Sequence, residues 1–248
     1  MSAIRKEVTI GNCRLILGDC LDVMRELEPV SGAILTDPPY GLGASWGKAA
    51  GWQGKCGKGR LWQGMPEWDA TAADMSWLPA LNVPAIVWGG NYFGGDLPAE
   101  KGWLIWDKAA DTIQAQAELA WTNCAPTVRV WRRSPLGVFG NGGRNEELKV
   151  HPTQKPVALM EWCLGFLPKA QTILDPFMGS GTTGVACAKL GRSFVGIELD
   201  PDYFEIACRR VEEAYRQGDM FVPQPARVAP VQTSIFDAET PAKQGDSA

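Results

Sequence analysis

The chain has 248 residues, 45% of them apolar, a formal net charge of −4 and an isoelectric point of about 5.2. This length and apolar share predict one main domain around a single sizeable core, with room for insertions, and the acidic balance argues against a protein bound over its whole surface to nucleic acid. Seven cysteines without a CxxC pair, and His151 as the single histidine, argue against a disulfide framework, a zinc site and histidine triads, so no metal is expected. No apolar run of about 18 residues and no leader pattern is present, which predicts a soluble, cytoplasmic protein.

From the N-terminus, Glu7–Leu17 reads as one strand stopped by Gly18-Asp19, with a helix over Asp22–Leu27. Gly32–Thr36 is a short buried strand that runs into Asp37-Pro38-Pro39-Tyr40, where two prolines forbid further ladder pairing. Residues 41–75, rich in Gly, Trp and Lys without usable periodicity, predict a mobile loop. Strands are expected at Pro84–Trp88, Gly102–Trp106 and Thr127–Trp131, followed by a polar Gly/Asn stretch and then a helix over Val157–Phe166. The clearest βαβ signal comes last: strand Thr172–Pro176, Gly-rich turn Phe177–Thr183, helix Gly184–Leu190, strand Ser193–Ile197, helix Pro201–Arg216. From Gln217 the Pro-, Gln- and Ala-rich sequence predicts a disordered tail.

Two constellations carry chemistry. In Asp175-Pro-Phe-Met-Gly-Ser-Gly-Thr182, Gly179 and Gly181 allow a backbone to pass close to a ligand at a strand's carboxyl end. Glu198, at the tip of the next strand, is an acid suited to both ribose hydroxyls of a nucleoside. Without a full G-x-G-x-x-G and without a lysine after the glycines, neither a dinucleotide nor a P-loop triphosphate fits. In Thr36-Asp37-Pro38-Pro39-Tyr40, the Asp37 carboxylate and Pro38 carbonyl form a pair of acceptors for the hydrogens of a weakly nucleophilic ring amine. The Tyr40 ring offers it a stacking face. Alone, this tetrapeptide is also compatible with an ordinary turn.

Together the two motifs resemble the DNA amino-methyltransferases, in the subgroup whose Asp-Pro-Pro-Tyr precedes the cofactor motif. The resemblance spans roughly residues 8–216 and is loose over 42–150. It implies S-adenosylmethionine as cofactor, held by Asp19, Asp37, Thr153, Lys155, Asp175, Phe177, Gly179, Ser180, Gly181, Thr182 and Glu198, with His151–Pro156 beside its methionine part. It implies catalysis by Asp37, Pro38, Pro39 and Tyr40 on a flipped base in double-stranded DNA. Asp at position 37, rather than Ser, leans toward N6 of adenine, with N4 of cytosine the alternative. Methylation of RNA, or an inactive DNA-binding module, stands further off. A protein-glutamine methyltransferase would carry Asn in place of Asp37.

The order of motifs implies a circular permutation: a doubly wound, mostly parallel, Rossmann-like α/β sheet in which the N-terminal strand follows the last βα unit, with an antiparallel strand at one end. Residues 1–216 would form the catalytic domain, with 41–80 and 132–150 as inserted DNA-recognition loops and 217–248 as tail. Lys48, Lys55, Lys58, Arg60, Arg132 and Arg133 are candidate phosphate contacts. In the tail, Gln217–Phe221 and Gln232–Phe236 share a glutamine-to-phenylalanine pattern that resembles peptides binding the bacterial sliding clamp. The whole reads as a bacterial or phage-encoded enzyme of a restriction-modification type.

Overall fold

The central strands carry unbroken apolar runs because both of their faces are covered. Along each, successive side chains point to opposite sides. Leu15, Leu35, Trp88, Ile173 and Phe194 join one buried cluster, while their neighbours Ile16, Ile34, Val87, Leu174 and Val195 join the other. The computed structural model describes residues 2–27, 32–42, 69–109, 115–134, 154–167 and 172–218. In chain order these form β1 (Lys6–Ile10), β2 (Cys13–Leu17), α1 (Cys20–Glu26), β3 (Gly32–Thr36), β4 (Ala85–Trp88), β5 (Gly102–Asp107), β6 (Ala117–Thr122) and β7 (Arg129–Arg132). Then come α2 (Val157–Leu164), β8 (Thr172–Asp175), α3 (Thr182–Lys189), β9 (Ser193–Glu198) and α4 (Pro201–Gly218).

All nine strands form one sheet in the order β1-β2-β9-β8-β3-β4-β6-β5-β7. The permutation is visible in its register: β2 lies parallel to β9, with Cys13 opposite Phe194 and Leu17 opposite Glu198, so the N-terminus supplies the strand beyond the last βαβ unit. Helices α2, α3 and α4 pack on one face. Phe204, Ala207, Val211 and Ala214 place α4 there at helical spacing. On the other face α1 contributes Val23, and Met75, Leu78, Phe93 and Leu97 cover the sheet between β3 and β5.

Several expectations need correction. Glu7–Leu17 is not one strand but the hairpin β1–β2, antiparallel, turned at Gly11-Asn12 with φ +55° at Gly11. The apolar alternation ran through the turn and masked this Gly-Asn signal. A second antiparallel strand, β6, went unread. Its Ala117-Glu118-Leu119-Ala120 start carries weak strand formers and a charge, and pairing with β4 and β5 overrides them. The last part of the 41–80 stretch belongs to the core rather than to an exposed loop, since Met75 and Leu78 are buried. Helix α4 continues through Gly218, so Gln217 is helical and bonds back to Glu213 at 3.4 Å. The remaining helix and strand expectations shift by only a few residues. Among the described residues, no helix is long and apolar enough to cross a membrane.

Candidate active site

The two motifs meet where the order of winding reverses. Strands β3 and β8 are parallel neighbours, with Ile34 opposite Leu174. The chain runs from β8 to β9 on one side and from β3 to β4 on the other. Open α/β sheets bind ligands in the crevice outside such a point, at the carboxyl ends of the strands. A buried bond fastens the two exits together: the Thr36 hydroxyl donates to Asp175 Oδ1 at 2.7 Å. Thr183 donates to Asp175 Oδ2 at 2.7 Å, and the Phe177 amide adds a bond at 3.2 Å. Asp175, expected among the cofactor contacts, therefore spends both oxygens inside the protein and shapes the loop from below. Burial raises its pKa to about 6 against these donors.

In the Gly-rich loop, Gly179 (φ +53°) and Gly181 (φ +79°) adopt left-handed conformations. A Cβ on Gly181 would come within 2.8 Å of the Ala207 Cβ, whereas Gly179 faces open space. Arg210 of α4 holds the turn from behind, donating to the Ser180 carbonyl at 2.7 Å, its hydroxyl at 2.9 Å and the Thr182 hydroxyl at 3.2 Å. Ser180 and Thr182 thus serve loop shape, and Arg210 is a supporting residue with no signature in the sequence. At the tip of β9, Glu198 accepts from the Gly179 amide and the Asp200 amide, each at 2.8 Å. Burial raises its pKa to about 7, opposed by those two amides. Asp19, at the tip of β2, caps α1 through the Leu21 and Asp22 amides and stands exposed beside the end of β9. An open glycine, a half-buried acid on one strand tip and an exposed acid on the next fit a nucleoside-bearing cofactor.

The Asp37–Tyr40 tetrapeptide is clamped by a segment distant in sequence. Asp69 Oδ1 accepts from the Tyr40 amide at 2.8 Å and the Gly41 amide at 3.0 Å, and the Ala73 amide donates to the Pro39 carbonyl at 3.0 Å. No described residue donates to the Pro38 carbonyl. The Tyr40 ring lies on Gly89 and stacks on Tyr92 with centroids 5.0 Å apart and planes 21° apart. One of its faces is therefore covered by the exposed Tyr92 instead of being open to a base.

Around Asp37 the structure assembles charges that the sequence scattered. The Tyr40 hydroxyl donates to Asp37 Oδ1, and Lys155 Nζ lies 2.6 Å from Asp37 Oδ2. Lys155, only 4% exposed, also reaches Glu118 Oε2 at 3.0 Å, and Lys108 Nζ pairs with Glu118 Oε1 at 2.6 Å. The antiparallel direction of β6 explains the meeting. It begins where its neighbours end, so Glu118 arrives at the carboxyl ends of β4 and β5. Burial raises the pKa of Asp37, and Lys155 pulls it back. Burial would also raise that of Glu118, but Lys155 and Lys108 hold it at about 2. Lys155, expected beside the cofactor's methionine part, is in contact with the Asp37 carboxylate.

Of the remaining candidates, Thr153, Lys48, Lys55, Lys58 and Arg60 lie outside the described residues, as does most of the tail beyond Gly218. Phe177 is half-buried against the core. Arg132 and Arg133 are exposed at the carboxyl end of β7, on the same side of the sheet as the tetrapeptide. Arg132 pairs with Asp107 at 3.4 Å, and the Arg133 guanidinium lies 6.0 Å from the Trp131 ring. Among the described residues no cluster of three metal-binding side chains occurs.

Residues 88–209, about half of the chain, match the model of the N6/N4 methyltransferase family, described as DNA methylase. Curated relatives include the Type II methyltransferase M2.DpnII of Streptococcus pneumoniae, 51% identical over 25% of this chain and 24% of its own length. Another is the Type II methyltransferase M2.LlaDCHI of Lactococcus lactis subsp. cremoris, 45% identical over 27% of this chain and 26% of its own. The aligned stretch thus spans about a quarter of the curated relatives' length. A solved cytosine-N4-specific DNA methyltransferase, PvuII, shares the fold with a TM-score of 0.53 at 15% identity, over 86% of this chain and 95% of that one. Over residues 88–209 the chain matches the DNA methylase family model, and over about a quarter of its length it is similar to these Type II methyltransferases.

Proposed function

We propose that the chain is a site-specific DNA methyltransferase that transfers a methyl group from S-adenosylmethionine to N6 of adenine in double-stranded DNA. The observation that carries this reading is the side-by-side exit of Asp37-Pro38 and the Gly179–Gly181 loop, joined by the Thr36–Asp175 bond. Bound S-adenosylmethionine supplies a methyl carbon on a positively charged sulfur. Glu198 receives the ribose hydroxyls and Gly179 admits the ligand to the backbone. An exocyclic amine is a poor nucleophile because its lone pair is delocalised into the ring. Asp37 and the carbonyl of Pro38, acting as acceptors for its two hydrogens, favour the pyramidal nitrogen whose lone pair can attack. Positioning and exclusion of water supply the rest. A base enters this site flipped from the helix, and Tyr92 must yield, or share, its place on Tyr40.

Adenine is favoured by the carboxylate at position 37, while the same two acceptors serve N4 of cytosine. Mass analysis of nucleosides from DNA incubated with protein and S-adenosylmethionine is expected to give N6-methyladenine. N4-methylcytosine would transfer the reading to the other base, and no methylated nucleoside would end it. The basic segment after Tyr40, with Arg132 and Arg133, supplies phosphate contacts. In the tail, the pattern of Gln217–Phe221 and Gln232–Phe236 supports tethering to a sliding clamp, which would raise local concentration on newly copied DNA. Surface plasmon resonance with purified clamp tests this: the full chain binds, and loses binding when Phe221 and Phe236 become Ala. No binding at tens of micromolar would end the idea.

A further inference from the structure

We infer that Lys155 and Glu118 act together as positioning residues that keep the Asp37 carboxylate ionised and aimed, an inference that rests on the amine-methylating reading above. Asp37 is largely buried, its side chain 21% exposed, so water stabilises its charge poorly, and without a cation it would take up a proton more readily and cease to be a two-lone-pair acceptor. Among the described residues, Lys155 is the cation within reach, at 2.6 Å. A lysine with one anionic partner could swing to either oxygen of Asp37. Glu118, at 3.0 Å, holds Lys155 from the other side, and Lys108, at 2.6 Å, balances Glu118. The result is a quartet of two carboxylates and two ammonium groups, with the lysines buried and the carboxylates partly exposed. It presents Lys155 to Oδ2 and, at 3.2 Å, to the Tyr40 hydroxyl, which donates in turn to Oδ1 as a neutral donor that a substrate amine can join or displace. Among the described residues, the other titratable groups near Asp37 include Tyr92, stacked on Tyr40, and Asp175, one strand away.

The roles of the two residues are opposite in sign. Lys155 lowers the pKa of Asp37, whereas Glu118, a like charge, raises it. Asp37 must be ionised to accept from the amine, so activity falls as pH drops through its pKa. Lys155→Met therefore moves the acid limb of the kcat/KM profile upward, by about 1–3 pH units for loss of an adjacent cation, and the missing rate returns at high pH. Glu118→Gln moves the limb downward. Lys155→Arg, which restores the charge, returns it toward the wild-type position. A packing role alone would lower the rate evenly at every pH and give no opposed shifts.

The test is the pH profile of methyl transfer to DNA for wild type, K155M, K155R and E118Q, with folding checked by thermal melting. In parallel, the 13C carboxyl titration of Asp37 is followed in free protein, assigned by its absence in D37N. The expected result is an Asp37 titration raised in K155M and lowered in E118Q, with the acid limbs moving alike. Titrations unchanged, or moving together in both variants, would overturn the inference. Should K155M fail to fold, E118Q and K155R still carry the test. A wild-type protein that transfers no methyl to DNA would instead overturn the functional reading, while the free-protein titration still decides the role of Lys155.

Discussion

The two halves of the site are built in different ways. The cofactor side is local: β8, its loop, α3 and β9 occupy one continuous stretch, and Asp175, Gly179, Gly181 and Glu198 all lie within it. The proposed catalytic side is gathered from afar. Asp37 follows β3, Asp69 returns from beyond the basic segment, Glu118 opens β6 and Lys155 precedes α2. Binding geometry that one βαβ unit can shape needs only a short motif. A buried charge needs partners of both signs, and only the assembled sheet supplies them.

That contrast can be broken by mutation, with the largest effect expected on the catalytic side. Asp37→Ala should lower the rate of transfer by at least about 10²-fold, the scale for removing one oriented polar group. Cofactor affinity should change much less, and single-turnover assay beside calorimetry separates the two. On the cofactor side, Glu198→Ala should weaken S-adenosylmethionine binding by about 1.5–3 kcal/mol, because the ribose hydroxyls lose a charge-assisted acceptor. Calorimetry with unchanged affinity would remove Glu198 from the site.

A smaller, graded effect comes from pH. With the Glu198 pKa raised by burial to about 7, a proton competes with the ribose below that pH, so affinity should fall by up to about tenfold per unit. It should be flat above. The linked stability has the opposite sign. The folded state binds this proton more tightly than the unfolded chain, so the contribution is present at low pH and is lost as pH rises from the ordinary glutamate range to about 7. Glu198→Gln should therefore flatten the pH dependence of affinity. The mildest change is expected for Lys48, Lys55, Lys58 and Arg60 replaced together by Ala. The log–log salt dependence of DNA binding should flatten by up to about 0.9 for each phosphate no longer neutralised, with chemistry on bound DNA intact.

The same contrast decides what could be read in advance. The motif at 175–182, the acid at 198 and the pairing of the N-terminal strand with the last one follow from residues adjacent in sequence and from element order. Glu118 did not, because its strand is specified by pairing on both sides rather than by its own residues, and a lone glutamate between alanines and leucine reads as solvent-facing. Lys155 was singled out, but beside the cofactor's methionine part. Its contact with Asp37 depends on where α2 begins relative to β3, which no local pattern records. The Gly11-Asn12 turn and Arg210 sit at the other extreme, with plain chemistry but no sequence neighbour to reveal their partners.

The central claim is that cofactor binding and amine activation reside in separable groups. Measuring S-adenosylmethionine affinity and methyl transfer to DNA on the same samples of wild type, Asp37→Asn and Glu198→Gln tests it most directly. Asp37→Asn should bind the cofactor within a few-fold of wild type and transfer almost nothing at saturation, whereas Glu198→Gln should bind weakly and recover most of its rate when the cofactor is raised. Wild-type-like turnover by Asp37→Asn, or a Glu198→Gln defect that saturating cofactor leaves untouched, would contradict the account.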